Sequence, residues 1–202
     1  MIDKEVIKSA VEVIGIAVFY ALTNEKIKKT WKKIWAMFRT HESHVKYEIK
    51  LLAKELETRL SQELDSLVSV NVWQFQNGAY SMAGYGFKFM KLICHESTNG
   101  FYQQIQYITI PVEPFVEFVS QLQKSDRYLI NTITSDTTPD EVKAIFTELG
   151  IKMAIDMKFD NSDVYKGFIS VSFPEIKNIS ENQFQLINEF RLNIYRRIKS
   201  LT

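Results

Sequence analysis

Residues 1–65 contain no proline and a single glycine, Gly15. Glycine and proline are the residues that most readily break a helix, so this stretch is predicted to be helical throughout. Composition changes near residue 66. From Leu67 onward, short β-rich runs alternate with helical patterns and turn residues. A chain of 202 residues has room for one ordinary domain plus an extension. The predicted organisation is therefore an N-terminal arm over 1–42, a connecting helix over 43–66 and an α+β domain over 67–202.

The arm joins two kinds of segment. Val11 to Leu22 (VEVIGIAVFYAL) is apolar all round apart from Glu12, whereas Asn24 to Arg39 is basic and amphipathic. In the second segment Ile27, Trp31, Ile34, Trp35 and Phe38 follow helical spacing, and lysines occupy much of the rest. Crossing the hydrocarbon core takes about 20 apolar residues, so Val11 to Leu22 is short for a span. It reads either as a helix buried against protein or as part of an anchor. The anchor reading draws on the adjoining basic segment, because positive charge and tryptophan collect at the inner membrane boundary. Residues 1–39 are thus expected to meet an inner membrane surface or another protein, with Lys28, Lys29, Trp31, Lys32, Lys33 and Trp35 at the contact. Further on, Val45, Ile49, Leu52, Leu56, Leu60, Leu64 and Leu67 recur every three or four positions. That seam is predicted to pack on the C-terminal helix and to support a coiled-coil-like homo-oligomer.

The domain opens with a strand carrying Val68, Val70 and Val72 on one face. A second strand, Phe87 to Cys94, alternates Phe87, Phe89, Lys91 and Ile93 against Lys88, Met90, Leu92 and Cys94. A third, Gln104 to Ile110, ends at Pro111. Helices follow over Val112–Leu122 and after Thr138, the latter with Thr138 as N-cap, Pro139 at the first position, Glu141 completing a capping box and Gly150 past the end. Strands are expected at Tyr128–Thr134, Ile151–Phe159 and Phe168–Phe173. The final helix starts with a capping box of Ser180 and Gln183. Val68, Val70, Val72, Phe89, Ile105, Ile155 and Val171 are expected in the core of one sheet.

Catalytic constellations do not survive inspection. Cys94 and His95 are strand neighbours and point to opposite faces, so they cannot act as nucleophile and base. Cys94, the single cysteine, reads as a buried inert thiol. Gly78, Gly84 and Gly86 lack the lysine and helix start of a phosphate loop. His41 and His44 share a helix face, but Glu48 is the only evident third ligand, and no metal or cofactor is expected. A formal net charge of +1 gives no reason to expect nucleic-acid binding. With no convincing signal peptide and no possible intrachain disulfide, the expected setting is cytoplasmic, with or without a membrane anchor.

Gln76-Asn77-Gly78 reads first as tight-turn chemistry. The functional alternative is a small-molecule pocket at the sheet edge, ringed by Gln76, Asn77, Tyr80 and Tyr85. The ligand is not named by these residues.

The element order resembles the GAF domain, a relative of PAS in which helices flank an antiparallel sheet. Val72-Trp73-Gln74-Phe75, Gln76-Asn77-Gly78, the lysine-bearing strand from Lys88 to Glu96, and Ile110-Pro111 are similar to a group of small GAF-like proteins of bacteriophages and bacteria. Leu149-Gly150-Ile151 and Gly167-Phe168-Ile169 match steps common in GAF domains. Gln76 stands where the phage and bacterial group carries histidine, so a role tied to that imidazole does not carry over. The resemblance covers residues 67–200. It implies a non-enzymatic binding or regulatory module, oligomeric through its helices and found in an infected cell or a virion. The alternative is a structural component of a phage particle or host-takeover assembly.

Overall fold

The computed structural model describes residues 25–76, 79–81, 84–86, 88–98, 101, 109–159 and 167–199. They belong to two units, Met1–His44 and Val45–Thr202. The predicted apolar segment Val11 to Leu22 lies outside the described residues. Helix α1, Glu25–Leu64, runs through the end of the first unit into the second. It ends where Asp65 takes a left-handed conformation, with φ of 45°.

The second unit is built on an antiparallel sheet of six strands. These are β1 (Ser69–Gln76), β4 (Phe89–Ser97), β5 (Thr109–Pro111), β6 (Leu129–Thr132), β7 (Met153–Lys158) and β8 (Gly167–Phe173). Their order is β5-β4-β1-β8-β7-β6. A separate hairpin joins β2 (Ala79–Ser81) to β3 (Gly84–Gly86). A short 3-10 turn at Glu113–Phe115 leads into helix α2, Val116–Lys124. Helix α3 spans Asp140–Leu149 and helix α4 spans Glu181–Lys199.

Helices cover both faces of this sheet. On one face Val45, Ile49, Ala53, Leu56 and Leu60 of α1 join Ile187, Phe190, Ile194 and Ile198 of α4 against the β1, β7 and β8 side chains. Val68, Val70, Val72, Ile155 and Val171 are fully buried there, as the alternation predicts. Phe89 is half-buried, and Ile105 lies outside the described residues. On the other face Phe118, Val119 and Leu122 of α2 and Val142 and Phe146 of α3 pack on Phe75, Met90, Ala154 and Phe168. Because both faces are covered, β8 is buried at every position. Burying such an aliphatic side chain contributes about 1.5–3 kcal/mol, so each face supplies stability of its own.

Three local expectations need correction. The alternation expected over Phe87 to Cys94 is broken, because Val72 pairs with Cys94 whereas Trp73 pairs with Leu92. The extra residue, Ile93, forms a bulge, so Met90 joins the α2–α3 face while Cys94 joins the α1–α4 face. Thr138 does not cap α3. Its hydroxyl accepts from the Thr132 amide at 3.1 Å, tying down the end of β6, and Pro139 holds the cap position without a side-chain bond. Ile151 belongs to the α2–α3 face, unlike Met153, Ile155, Met157 and Phe159, because it precedes the strand. The second capping box forms as expected: the Ser180 amide donates to Gln183 Oε1 at 2.9 Å, and the Gln183 amide to Ser180 Oγ at 3.4 Å.

Candidate functional site

Between the sheet and helices α2 and α3 lies a cavity of about 100 Å³. Its walls are apolar: Phe118 from α2, Val142, Ile145 and Phe146 from α3, and Trp73, Met90 and Phe168 from the sheet. Phe168 organises the aromatic part. It stacks on Trp73 with centroids 6.2 Å apart, tilts on Phe75 at 5.8 Å and meets Phe118 edge-on at 5.5 Å.

The floor is different. Asn71, Asp156, Ser170 and Ser172 also line the cavity, and each is buried. Cross-strand register explains how they meet, since Asn71 lies opposite His95 on one side and Ser170 on the other, and Ser170 lies opposite Asp156. His95 Nδ1 and Asn71 Oδ1 are 2.8 Å apart. Asn131 Nδ2 donates to Asp156 Oδ2 at 2.9 Å, and Ser170 also hydrogen-bonds the Asp156 carboxylate. A polar row therefore crosses the sheet from β4 to β6 beneath an apolar roof. Burial pushes the Asp156 carboxyl up to about 6, while the bonds from Ser170 and Asn131 pull the other way.

No protein-family model matches the sequence, and no curated protein matches it. The fold does have solved counterparts. The phycoerythrobilin-bound GAF domain of a cyanobacterial phytochrome superposes with a TM-score of 0.60 at 12% identity, covering 86% of this chain and 95% of that one. The chromophore-binding domain of a bacteriophytochrome from R. palustris gives 0.57 at 10% identity, over 84% of this chain and 62% of that one. A blue-light-absorbing GAF domain from Thermosynechococcus elongatus gives 0.52 at 14%, over 76% and 89%. The fold is GAF-like.

The residues read from the sequence as pocket contacts fall at the end of β1 and beyond it. Gln76 ends β1, half-buried, and its carbonyl accepts from the Lys88 amide at 3.4 Å. Tyr80 and Tyr85 face each other in the register of the β2–β3 hairpin, and Asn77 lies outside the described residues. Gln76 is not among the described residues lining the cavity. Lys29, Lys32 and Lys33 are exposed on α1. Lys28, Trp31 and Trp35 belong to the same helix.

Cys94 is buried on the α1–α4 face, where desolvation and the nearby Glu96 carboxylate push its thiol up to about 12 against the opposing Lys50 charge. Such a thiol carries no nucleophilic thiolate at neutral pH. His95 turns to Asn71 and Ser69 rather than to Cys94. Among the described residues no three His, Cys, Asp or Glu side chains gather as metal ligands, and no helix is long and apolar enough to cross a membrane. Glu48 instead meets Arg197 of α4 at 3.4 Å. Arg191 donates to the carbonyls of Lys158 and Phe159 at 2.7 and 2.8 Å.

The sequence reading missed Asn71, Asp156 and Ser170. Their signal was present as polar residues interrupting strands whose alternate positions are strongly apolar. It gains meaning only once α2 and α3 are seen to cover that face.

Proposed function

We propose that this chain is a non-enzymatic binding or regulatory module whose ligand sits in the cavity beneath α2 and α3. One observation carries the reading: a few buried polar groups converge on the floor of an otherwise apolar cavity, the arrangement that small-molecule sites use. The ligand is small. Sites for drug-sized molecules occupy about 300–1,000 Å³, against about 100 Å³ between the described walls. Regulation would follow from packing, because a ligand there touches α2, α3 and the sheet at once. Gln76, Asn77, Tyr80 and Tyr85 are proposed as further contacts from the turn beyond β1.

In the same proposal residues 1–39 tether the module to an anionic membrane or an assembly, for which the exposed Lys29, Lys32 and Lys33 are suited. Oligomers would form through the helices, where Tyr47 and Leu51 leave an apolar step one turn apart on α1. The motif resemblance supports membership in the phage and bacterial group. A panel of small amines, alcohols and acids tests the ligand site. Some members are expected to move the amide resonances of Asn71, Trp73 and Ser170 and to raise the unfolding temperature of the full chain. If none does either, the cavity is packing space alone. Flotation with anionic liposomes tests the tether, and a chain that stays unbound and monomeric removes that part.

A further inference from the structure

Among the described residues, two buried carboxylates are supplied in opposite ways. Glu57, on α1, is 2% exposed and receives Lys54 Nζ at 2.6 Å, Thr98 Oγ1 at 2.7 Å and Thr58 Oγ1 at 3.2 Å. A cation and two hydroxyls meet it. Asp156, on β7, is 3% exposed and receives only neutral donors, the Asn131 amide and the Ser170 hydroxyl. No ion pair reaches it among the described residues. A carboxylate has about four lone-pair sites, and a buried charge is ordinarily paired. Asp156 therefore keeps acceptor capacity and lacks a countercharge, and it borders the cavity.

We infer that the cavity takes a compact organic cation, a short alkylammonium, with its N–H groups on Asp156 and its carbons among Trp73, Phe118, Phe146 and Phe168. This rests on the reading that the cavity is the ligand site, and it names the ligand class. Three features select the class. The cavity, at about 100 Å³, suits a compact ligand rather than a drug-sized one. The walls favour an apolar body. The floor offers a carboxylate for an ammonium to complete, and aromatic faces nearby attract the same charge. An anion would meet Asp156 unfavourably, and a neutral alcohol would leave its charge unmatched.

The environment of Asp156 is simple enough to test by pH. No other titratable side chain lines the cavity among the described residues. His95 lies beyond Asn71 in the polar row, and the Lys158 ammonium two residues along β7 is held by the Gln123 carbonyl at 2.8 Å.

The experiment titrates the full chain with n-propylammonium, n-propanol and propionate, following amide resonances of residues 71, 156 and 170. The ammonium is expected to bind at least ~10-fold more tightly than propanol, propionate not at all, and the ammonium should weaken as pH falls through about 6. Asp156→Asn should remove the preference for the cation while propanol still binds. Ala154→Leu, which adds bulk to the cavity from the strand and leaves the carboxylate in the chain, should abolish binding of both and stands in if Asp156→Asn does not fold. Equal binding of ammonium and propanol, unchanged by Asp156→Asn, overturns the cation while the cavity reading survives. Ammonium binding that persists in Ala154→Leu places the cation elsewhere and overturns the inference. Failure of every probe also overturns it, and the wider panel above then decides the cavity reading separately.

Discussion

Asp156 shows how a single buried group writes itself into stability. Its carboxyl titrates at about 6 in the folded protein against 3.8 for an ordinary aspartate, because desolvation outweighs its two neutral hydrogen bonds. Between those values the folded chain keeps a proton that the unfolded chain has lost. The stability from this group is therefore fully present below about pH 4 and is lost as pH rises through about 6, a change on the order of 3 kcal/mol. Urea unfolding of wild type and Asp156→Asn from pH 4 to 7.5 should show that difference, with the wild type losing stability relative to the variant. Parallel curves would mean that the carboxyl titrates normally. Gly167 makes a second residue-scale case. Its φ of 153° lies where side chains are strained, and an added Cβ would collide with the Trp73 carbonyl oxygen of the neighbouring strand. Gly167→Ala is expected to cost at least about 2 kcal/mol. An unchanged unfolding midpoint would show that β8 can shift away from β1.

At the scale of elements, helix α1 carries two kinds of apolar residue, those on the three-or-four-residue seam and those off it. Leu56 is fully buried within the α1–α4 face, whereas Leu51 is 52% exposed and Tyr47 61%. The seam expected to pack on the C-terminal helix does share its buried cluster with α4 and the sheet. Leu56→Ala should cost about 2–5 kcal/mol through the cavity it leaves, and Leu51→Asp no more than about 0.5 kcal/mol. Denaturant midpoints check both, and sedimentation of Leu51→Asp against wild type asks whether the exposed ridge joins copies. Comparable losses from the two changes would mean that both sides of α1 are buried in solution. Thr138 gives a smaller test of the β6–α3 connection. Thr138→Val keeps the shape but strands the Thr132 amide, at an expected cost of about 1–3 kcal/mol; no loss would show that this hydrogen bond is dispensable.

For the molecule as a whole, covering both faces makes the length of α1 decisive. Removing residues 1–44 leaves the unit that begins at Val45. Removing residues 1–64 strips Val45, Ile49, Ala53, Leu56 and Leu60 from the face they share with α4. The shorter truncation should unfold cooperatively near the full chain's midpoint, and the longer one should lose its cooperative transition. Calorimetry distinguishes them, and a folded 65–202 fragment would mean that α4 alone can cover that face.

Element types and the GAF-like order were legible from the sequence because they rest on local signals. Valine and isoleucine alternation marked β1, β7 and β8, the Ser180–Gln183 pair marked the start of α4, and Gly150 marked the end of α3, where it takes φ of 69°. What failed locally depended on a neighbour in space. The Ile93 bulge exists only in the pairing of β4 with β1, and the Thr138 hydroxyl found a strand amide rather than its own helix. The cavity was further from view. Asn71, Asp156 and Ser170 come from separate strands whose registers bring them side by side, beneath helices contributed by other stretches of chain. Sequence by itself set which residues alternate, cap and turn, since those preferences act within a few bonds. The tertiary structure alone decided which polar side chains are stripped of water together, because desolvation depends on what covers a face and not on what precedes it in the chain.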